Sequence, residues 1–371
     1  MYNKILIVSF CLCIFSVGII SSIITDKDFS NNENRNLTKF PSFSFDKLYN
    51  GSYTKDVENY VSDNVIFRDE FVSLKTLSQL AIGKKDNTRV YFGEDGRLFE
   101  INKDINLEDV KKNVNILNNF TKKIYENYNI KTELMLVPTA TLIYNNMLPK
   151  NSKVNDEEKY ILDIYNKFNF KSINVIDKLK QNTNQDLYFK LDHHWTQNGA
   201  YLAYEKWKEV TNINENISYS KQKVADDFYG SLYSKANNYL LKPDNIDIYI
   251  NNNIKYNVVY DKEKITNDVY EMNNLNKKDK YTVFLDGNHS IVDITTNVNN
   301  DKKLLVIKDS YAHNLIPLLS NHYNKITVLD LRYINGDIKE YIQDMKGADC
   351  LFIYNIYNFT NKNELDKLNL K

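Results

Sequence analysis

The chain of 371 residues is long enough to bury a full core and to hold one large domain or two. Lysine plus arginine and aspartate plus glutamate balance at 48 each, so no overall field draws the protein to nucleic acid or to an anionic surface. Tyrosine is abundant at 28 while glycine and proline are scarce at 10 and 5, a bias that a sugar-binding surface and plain compositional drift would produce equally.

Ile5 to Ile24 is an uncharged apolar run of 20 residues, which as a helix spans about 30 Å, one bilayer core. No small-x-small cleavage site follows it, and Phe10 before Cys11 and Leu12 before Cys13 argue against lipoprotein processing. The run reads as an uncleaved signal anchor. Lys4 and the amino terminus form the positive flank, which puts residue 1 in the cytoplasm and residues 25–371 outside: a single-pass membrane protein with an extracellular domain. Two of the three cysteines lie in the anchor, so Cys350 stands alone beyond it as a small buried hydrophobe, with no disulfide and no cysteine metal cluster.

Residues 25–54 are polar and Asn-rich, as a stalk leading off a membrane would be. From Lys55 to Ala81 the apolar spacing predicts helices, broken near Asp63–Asn64. Val90–Phe92 and Leu98–Phe99, joined by Gly93-Glu94-Asp95-Gly96, predict a hairpin, followed by a helix over 107–128. Glu133–Val137 is a buried-strand candidate, residues 155–168 a helix and Ile173–Ile176 another strand. After a helix that begins near Thr196, residues 211–300 break the alternation as a β-rich insertion. Within it Ile246–Ile250 and Ile254–Val259 suggest a hairpin, and Tyr281–Leu285 a further strand. Leu304–Ile307, Ile326–Leu331 and Cys350–Tyr354 then return to buried strands separated by helical patterning. The fold class is therefore α/β, with residues 55–371 as the main domain.

Asp192-His193-His194-Trp195 is the densest packet of catalytic side-chain types in the chain. If the segment is extended, Asp192 and His194 project together while His193 and Trp195 point the other way. A carboxylate on one ring nitrogen fixes the tautomer and steadies the cation formed when the other nitrogen takes a proton. The plainer alternative is a helix start, with Thr196 as cap and Trp195 as core. Two of only five histidines lie here beside an aspartate, which favours chemistry. A metal site is disfavoured, because adjacent histidines on an extended chain diverge. His289 and His313 read as surface or capping residues.

In open α/β sheets the ligand binds beyond the carboxyl ends of the strands. There the sequence places Lys308-Asp309-Ser310-Tyr311, Arg332-Tyr333 and Asn355. Ser310, between a strand and a helix, is the nucleophile candidate, with backbone N–H groups to hold an oxyanion. Asn355, Arg332 and Tyr333 are the candidate oxyanion and substrate-binding residues. Taken alone, Asp309 or Ser310 would more simply be a helix cap; the convergence of three strand ends is what argues for a site.

YFKLDHHWTQNGAY resembles the signature of the bacterial DHHW family, which is similar to the alginate O-acetylation proteins AlgJ and AlgX and, more distantly, to SGNH hydrolases. ENRNLTKFP (33–41), VYFGEDGRLF (90–99), VPTATLIYNNMLP (137–149), VFLDGNHS (283–290) and LLVIKDSYAHNLIP (304–317) extend the likeness over most of the chain after the anchor. The resemblance implies a circularly permuted SGNH hydrolase-like sheet with helices on both faces. It also implies Asp192 as orienting acid, His194 as base, Ser310 as nucleophile and Asn355 as the late asparagine, with Lys308 standing where such enzymes carry glycine.

The implied function is an extracytoplasmic O-acyltransferase, an O-acetyltransferase acting on a cell-surface or exported polysaccharide through an acyl-serine. It would need no cofactor and no metal, and a membrane-bound O-acyltransferase partner would supply the acyl group. A carbohydrate esterase with the same triad and a non-catalytic polysaccharide-binding protein on the same scaffold are the alternatives.

Overall fold

The computed structural model describes residues 2–23, 27–361 and 363–369. Ile24, the last residue of the expected anchor, and the first two residues of the expected stalk lie outside them. The chain divides into two compact units, Met1–Asn87 with Tyr233–Leu241, and Thr88–Leu232 with Lys242–Lys371.

The first unit opens with the helix Tyr2–Ile23, long and apolar enough over Asn3–Ser21 to cross a membrane. Phe29–Ser30 then pairs with Arg35–Asn36, and helices follow at Phe45–Tyr49, Ser52–Asn64 and Arg68–Ala81. A polar knot ties this region together. The Arg35 guanidinium donates to both oxygens of Asp63 at 2.5 and 2.9 Å, and Thr38 adds its N–H at 2.9 Å and its hydroxyl at 2.8 Å. The bonds from Arg35 hold the Asp63 carboxyl well below the usual carboxylate range.

The second unit is built on an eight-stranded sheet. Its order is Lys264–Thr266, Tyr256–Tyr260, Ile291–Thr296, Lys325–Leu329, Lys303–Lys308, Asp349–Asn355, Lys131–Val137 and Lys171–Ser172. The last five run parallel and the first three antiparallel. The parallel strands are apolar on both faces because both faces are covered. Leu304 and Val306 enter one core, under the helix Gln197–Thr211, while Leu305 and Ile307 enter the other, under Leu107–Tyr128 and Glu157–Lys167. The carboxyl ends of Lys325–Leu329, Lys303–Lys308 and Asp349–Asn355 therefore stand side by side.

Three local expectations are corrected. Asp244–Ile250 pairs with Ser220–Phe228 rather than with Tyr256–Tyr260, which joins the main sheet instead. The Asn251–Asn253 turn thus carries the chain from one sheet to another. Lys280–Val283 is a 3₁₀ turn, not a strand, because its Tyr281 packs against the candidate site. At 173–176 the strand ends early, at Ser172, and a helix starts at Ile176.

This short edge strand leaves the outer side of Lys131–Val137 partly unpaired. Tyr165 fills the gap: its hydroxyl accepts the Leu136 N–H at 2.8 Å and donates to the Ile173 carbonyl at 2.9 Å. Replacing Tyr165 with Phe strands a backbone donor in the interior, so the variant should lose about 1–3 kcal/mol, read as a lower urea midpoint.

Candidate functional site

Ser310 stands where the Lys303–Lys308 strand turns into a 3₁₀ segment. Asp309, fully buried, makes the turn: one carboxylate oxygen accepts the Tyr311 N–H, and the other accepts the Asn355 N–H and the Asn358 amide. This fixes the backbone on both sides of Ser310 and leaves its side chain half-buried at the strand end.

Leu187 to Thr196 forms a tight loop closed by Thr196 N–H to Leu187 O at 2.9 Å and Phe189 N–H to His194 O at 3.2 Å. Asp192 folds the loop by accepting the His194 N–H at 3.0 Å. The same oxygen lies 2.6 Å from His194 Nδ1, and His194 Nε2 lies 2.8 Å from the Ser310 hydroxyl. Asp192, His194 and Ser310 thus form one hydrogen-bonded relay. A carboxylate at Nδ1 sets the proton there and leaves Nε2 as acceptor for the hydroxyl.

Burial opposes the Asp192 charge, but His193, His194 and the Ser231 N–H hold its carboxyl well below the usual range. Burial, with His193 adding to it, pushes His194 down to about 4 against the pull of Asp192. His194 is therefore neutral at ordinary pH.

The expected orientation of His193 is corrected. Because Asp192 bends the loop, the His193 ring lies 3.9 Å from the His194 ring instead of facing away, with Nδ1 2.7 Å from the Ser231 hydroxyl. Asp192, His193 and His194 are close enough for their ligand atoms to surround an ion. Asp192 and His194 are, however, hydrogen-bonded to each other, and His193 Nδ1 is bonded to Ser231.

Of the other residues singled out from the sequence, Asn355 donates its amide to Val137 O at 3.1 Å and meets the site through Asp309. Arg332 binds Asp330 at 2.6 and 2.8 Å and Asn288 at 3.0 Å, and Tyr333 lies exposed beside its guanidinium. His313 is fully buried, correcting its reading as a surface or cap residue: Lys308 Nζ lies 2.7 Å from its Nε2 and 2.9 Å from Asp330. Burial and the Lys308 charge hold His313 well below its ordinary pKa, so it is the neutral acceptor of that bond.

The structure adds residues that sequence reasoning missed. Tyr281 stacks flat on His194, with ring centroids 3.9 Å apart and planes within 8°, and donates its hydroxyl to Ser310 O at 3.1 Å. Ser231 gives Asp192 its N–H at 2.7 Å. Gly230 lets that approach happen, since a Cβ there would fall 2.3 Å from Asp192 Cβ. Only Tyr281 had a signal, lying two residues before the VFLDGNHS stretch; the pair Gly230-Ser231 had none.

The stretches VYFGEDGRLF and VPTATLIYNNMLP support the loop that carries His194. Arg97 donates to the Tyr188 and Phe189 carbonyls at 3.0 and 3.1 Å, Tyr188 donates to Pro138 O at 2.6 Å, and Tyr144 accepts the Leu187 N–H at 2.8 Å.

A model of the family described as DHHW protein matches residues 105–329, more than half of the chain. No curated protein matches it in sequence. Among solved structures, a DHHW family protein from Eubacterium siraeum is similar at 24% identity and a TM-score of 0.63, over 75% of this chain and 93% of that one. Bacillus cereus PatB1, solved with a sulfonyl adduct, is similar at 20% identity and 0.61, over 76% and 97%. The O-acetyltransferase domain of Pseudomonas putida AlgJ is similar at 14% identity and 0.48, over 75% and 94%. The first two likenesses establish a shared fold.

With His194 lowered to about 4 from the ordinary 6.5, the unfolded chain takes up a proton there before the folded one does. The stability this group contributes should be complete above pH 6.5 and decline as pH falls toward 4. Nitrogen-15 NMR of labelled histidine should show the His194 ring neutral at pH 6, whereas a cationic ring at that pH would contradict the assignment.

Proposed function

The chain belongs to the DHHW family, and we propose that it is an extracytoplasmic serine O-acyltransferase, an O-acetyltransferase that modifies a cell-surface or exported polysaccharide. The observation that carries this reading is the relay of Ser310 Oγ to His194 Nε2 at 2.8 Å and His194 Nδ1 to Asp192 at 2.6 Å. Ser310 Oγ attacks the acyl carbonyl while its proton passes to His194 Nε2. Collapse of the tetrahedral intermediate expels the donor's leaving group, which takes that proton, and the acyl group stays on Ser310. A sugar hydroxyl then attacks the ester, gives its proton to His194 and leaves acylated. Ser310 regains its proton from His194.

Asp192 holds the tautomer and stabilises the imidazolium formed in each half. The flat stack of Tyr281 stabilises the same cation through its ring face. Asn355 supports the turn through Asp309, while Arg332 and Tyr333, which follow the adjacent strand Lys325–Leu329, would take part in substrate binding from beyond its end. The SGNH-like architecture, the membrane-bound acyl donor and the polysaccharide acceptor come from the resemblance to the alginate O-acetylation proteins, and the apolar helix Tyr2–Ile23 suits a domain held beside such a donor.

The test is intact-mass spectrometry of the full chain incubated with an activated acetyl ester, with and without an oligosaccharide acceptor. The chain should gain one acetyl group at Ser310 and pass it to the sugar. Ser310→Ala should gain none, and His194→Ala should acylate at least roughly a thousandfold more slowly. Asp192→Asn should be comparably or less impaired. Acetyl appearing only as free acetate would identify an esterase. No Ser310 adduct with any ester would leave the scaffold non-catalytic.

Gly230→Ala separates positioning from chemistry. The added methyl displaces Asp192 and leaves Ser310 in place, so acylation should fall although the nucleophile is intact. Unchanged acylation would show that the Asp192 contact does not matter.

A further inference from the structure

The helix Arg68–Ala81 turns large apolar side chains outward while Val72, Leu77 and Leu80 stay half-buried on its inward side. Its buried face carries Ser73 and Thr76, with the Ser73 hydroxyl taking the Tyr239 N–H. Its outer face carries Phe71 and Leu74, and the flanking Phe67 and Ile82 continue that face. These four are 51%, 60%, 56% and 85% exposed. On a helical projection extended to its two caps they fall within an arc of roughly 80°, interrupted by Ser78, with Lys75 at its margin and Lys84-Lys85 just beyond the helix. An apolar stripe edged by lysines is the pattern of a helix that lies in a lipid–water interface.

The position of this stripe argues for lipid as its occupant. Phe67 follows Ile66, whose N–H donates to Ser21 Oγ at 3.0 Å. Ser21 closes the stretch Asn3–Ser21 that is long and apolar enough to span a bilayer. A residue bonded to the end of a spanning segment sits at headgroup level, so the stripe begins where an interface would be.

We propose that the face formed by Phe67, Phe71, Leu74 and Ile82 lies on the phospholipid surface, giving the protein a second membrane contact beside its apolar helix. The proposal does not depend on the chemistry of Ser310; it requires that the helix Tyr2–Ile23 sits in a bilayer.

The full chain is reconstituted in vesicles of phosphatidylcholine and phosphatidylglycerol containing a photoactivatable phospholipid, irradiated and digested with trypsin. Cleavage after Arg68, Lys75 and Lys84 isolates the peptides Asp69–Lys75 and Thr76–Lys84. Both should carry lipid label alongside the Tyr2–Ile23 segment. The combined variant Phe67→Ser, Phe71→Ser, Leu74→Ser should lose the label on Asp69–Lys75 and keep it on the apolar helix. Phe71→Ser alone should weaken it, as a check that does not depend on the triple variant folding. Label confined to the apolar helix, or absent from both, would overturn the proposal. So would cross-links from this face to a second copy or another protein in place of lipid.

Discussion

The site depends on one clasp between two segments more than a hundred residues apart in sequence. The buried indole of Trp195 donates to Tyr311 O at 2.8 Å and to Asn314 Oδ1 at 2.7 Å, and Asn314 returns its amide to Trp195 O at 3.2 Å. Gln197 adds a bond to Asn314 O at 3.0 Å, and Tyr311 sends its hydroxyl to His193 O. Bonds that satisfy buried donors and acceptors on both sides fix distance and orientation together, since any shift strands a polar group in the core. His194 and Ser310 lie between these bonds, so the 2.8 Å contact between them is imposed by the packing around it. Trp195 is buried because it joins the His194 loop to the Ser310 turn, so being core and belonging to the DHHW signature are one role.

A second set of charges lies behind the nucleophile. Lys308 sends its ammonium to Asp330 and His313, and Arg332 also binds Asp330. Burial disfavours the Asp330 charge, yet Arg332 and Lys308 hold its carboxyl below the ordinary range. A buried pair of this kind adds little net stability but is costly to break on one side. Its effect is to tie together the ends of the two adjacent strands that precede Ser310 and Arg332. With the Lys308 side chain engaged there, the Ser310 turn is made by Asp309 with its own carboxylate.

What was legible in the sequence follows from where the partners lie. The parallel strands were readable as short apolar runs because they are buried on both faces, and the helix Leu107–Tyr128 because its apolar spacing is long and regular. Asp192, His194 and Ser310 were readable because strand ends and a dense polar packet mark themselves locally. The pairing of Asp244–Ile250 was not, since Asn251–Asn253 is a good turn whichever strands it connects, and the partner is chosen by packing elsewhere. The direction of His193 depended on a side-chain-to-backbone bond from Asp192 that replaces extended geometry with a turn. Gly230-Ser231 comes from a segment whose local pattern gives no hint of the Asp192 it touches, and Tyr281 is marked only by its nearness to the VFLDGNHS stretch.

The surroundings of the imidazole also bear on how an acceptor reaches it. Tyr281 and His193 each bring a ring centroid to 3.9 Å from that of His194, and two rings at that distance cannot share one face. His194 is therefore held between them, with Asp192 on its Nδ1 edge, and is only 6% exposed. The remaining edge is Nε2, and Ser310 occupies it. A proton can enter or leave the imidazole only along the line from Ser310, and on the acyl-transfer route proposed above the acceptor hydroxyl would have to arrive by the same line. On that route a hydroxyl held by contacts elsewhere on its sugar would compete with bulk water at high effective concentration. The relay itself would be indifferent between transfer and hydrolysis, so under the proposed function that choice would fall to the surface around Ser310.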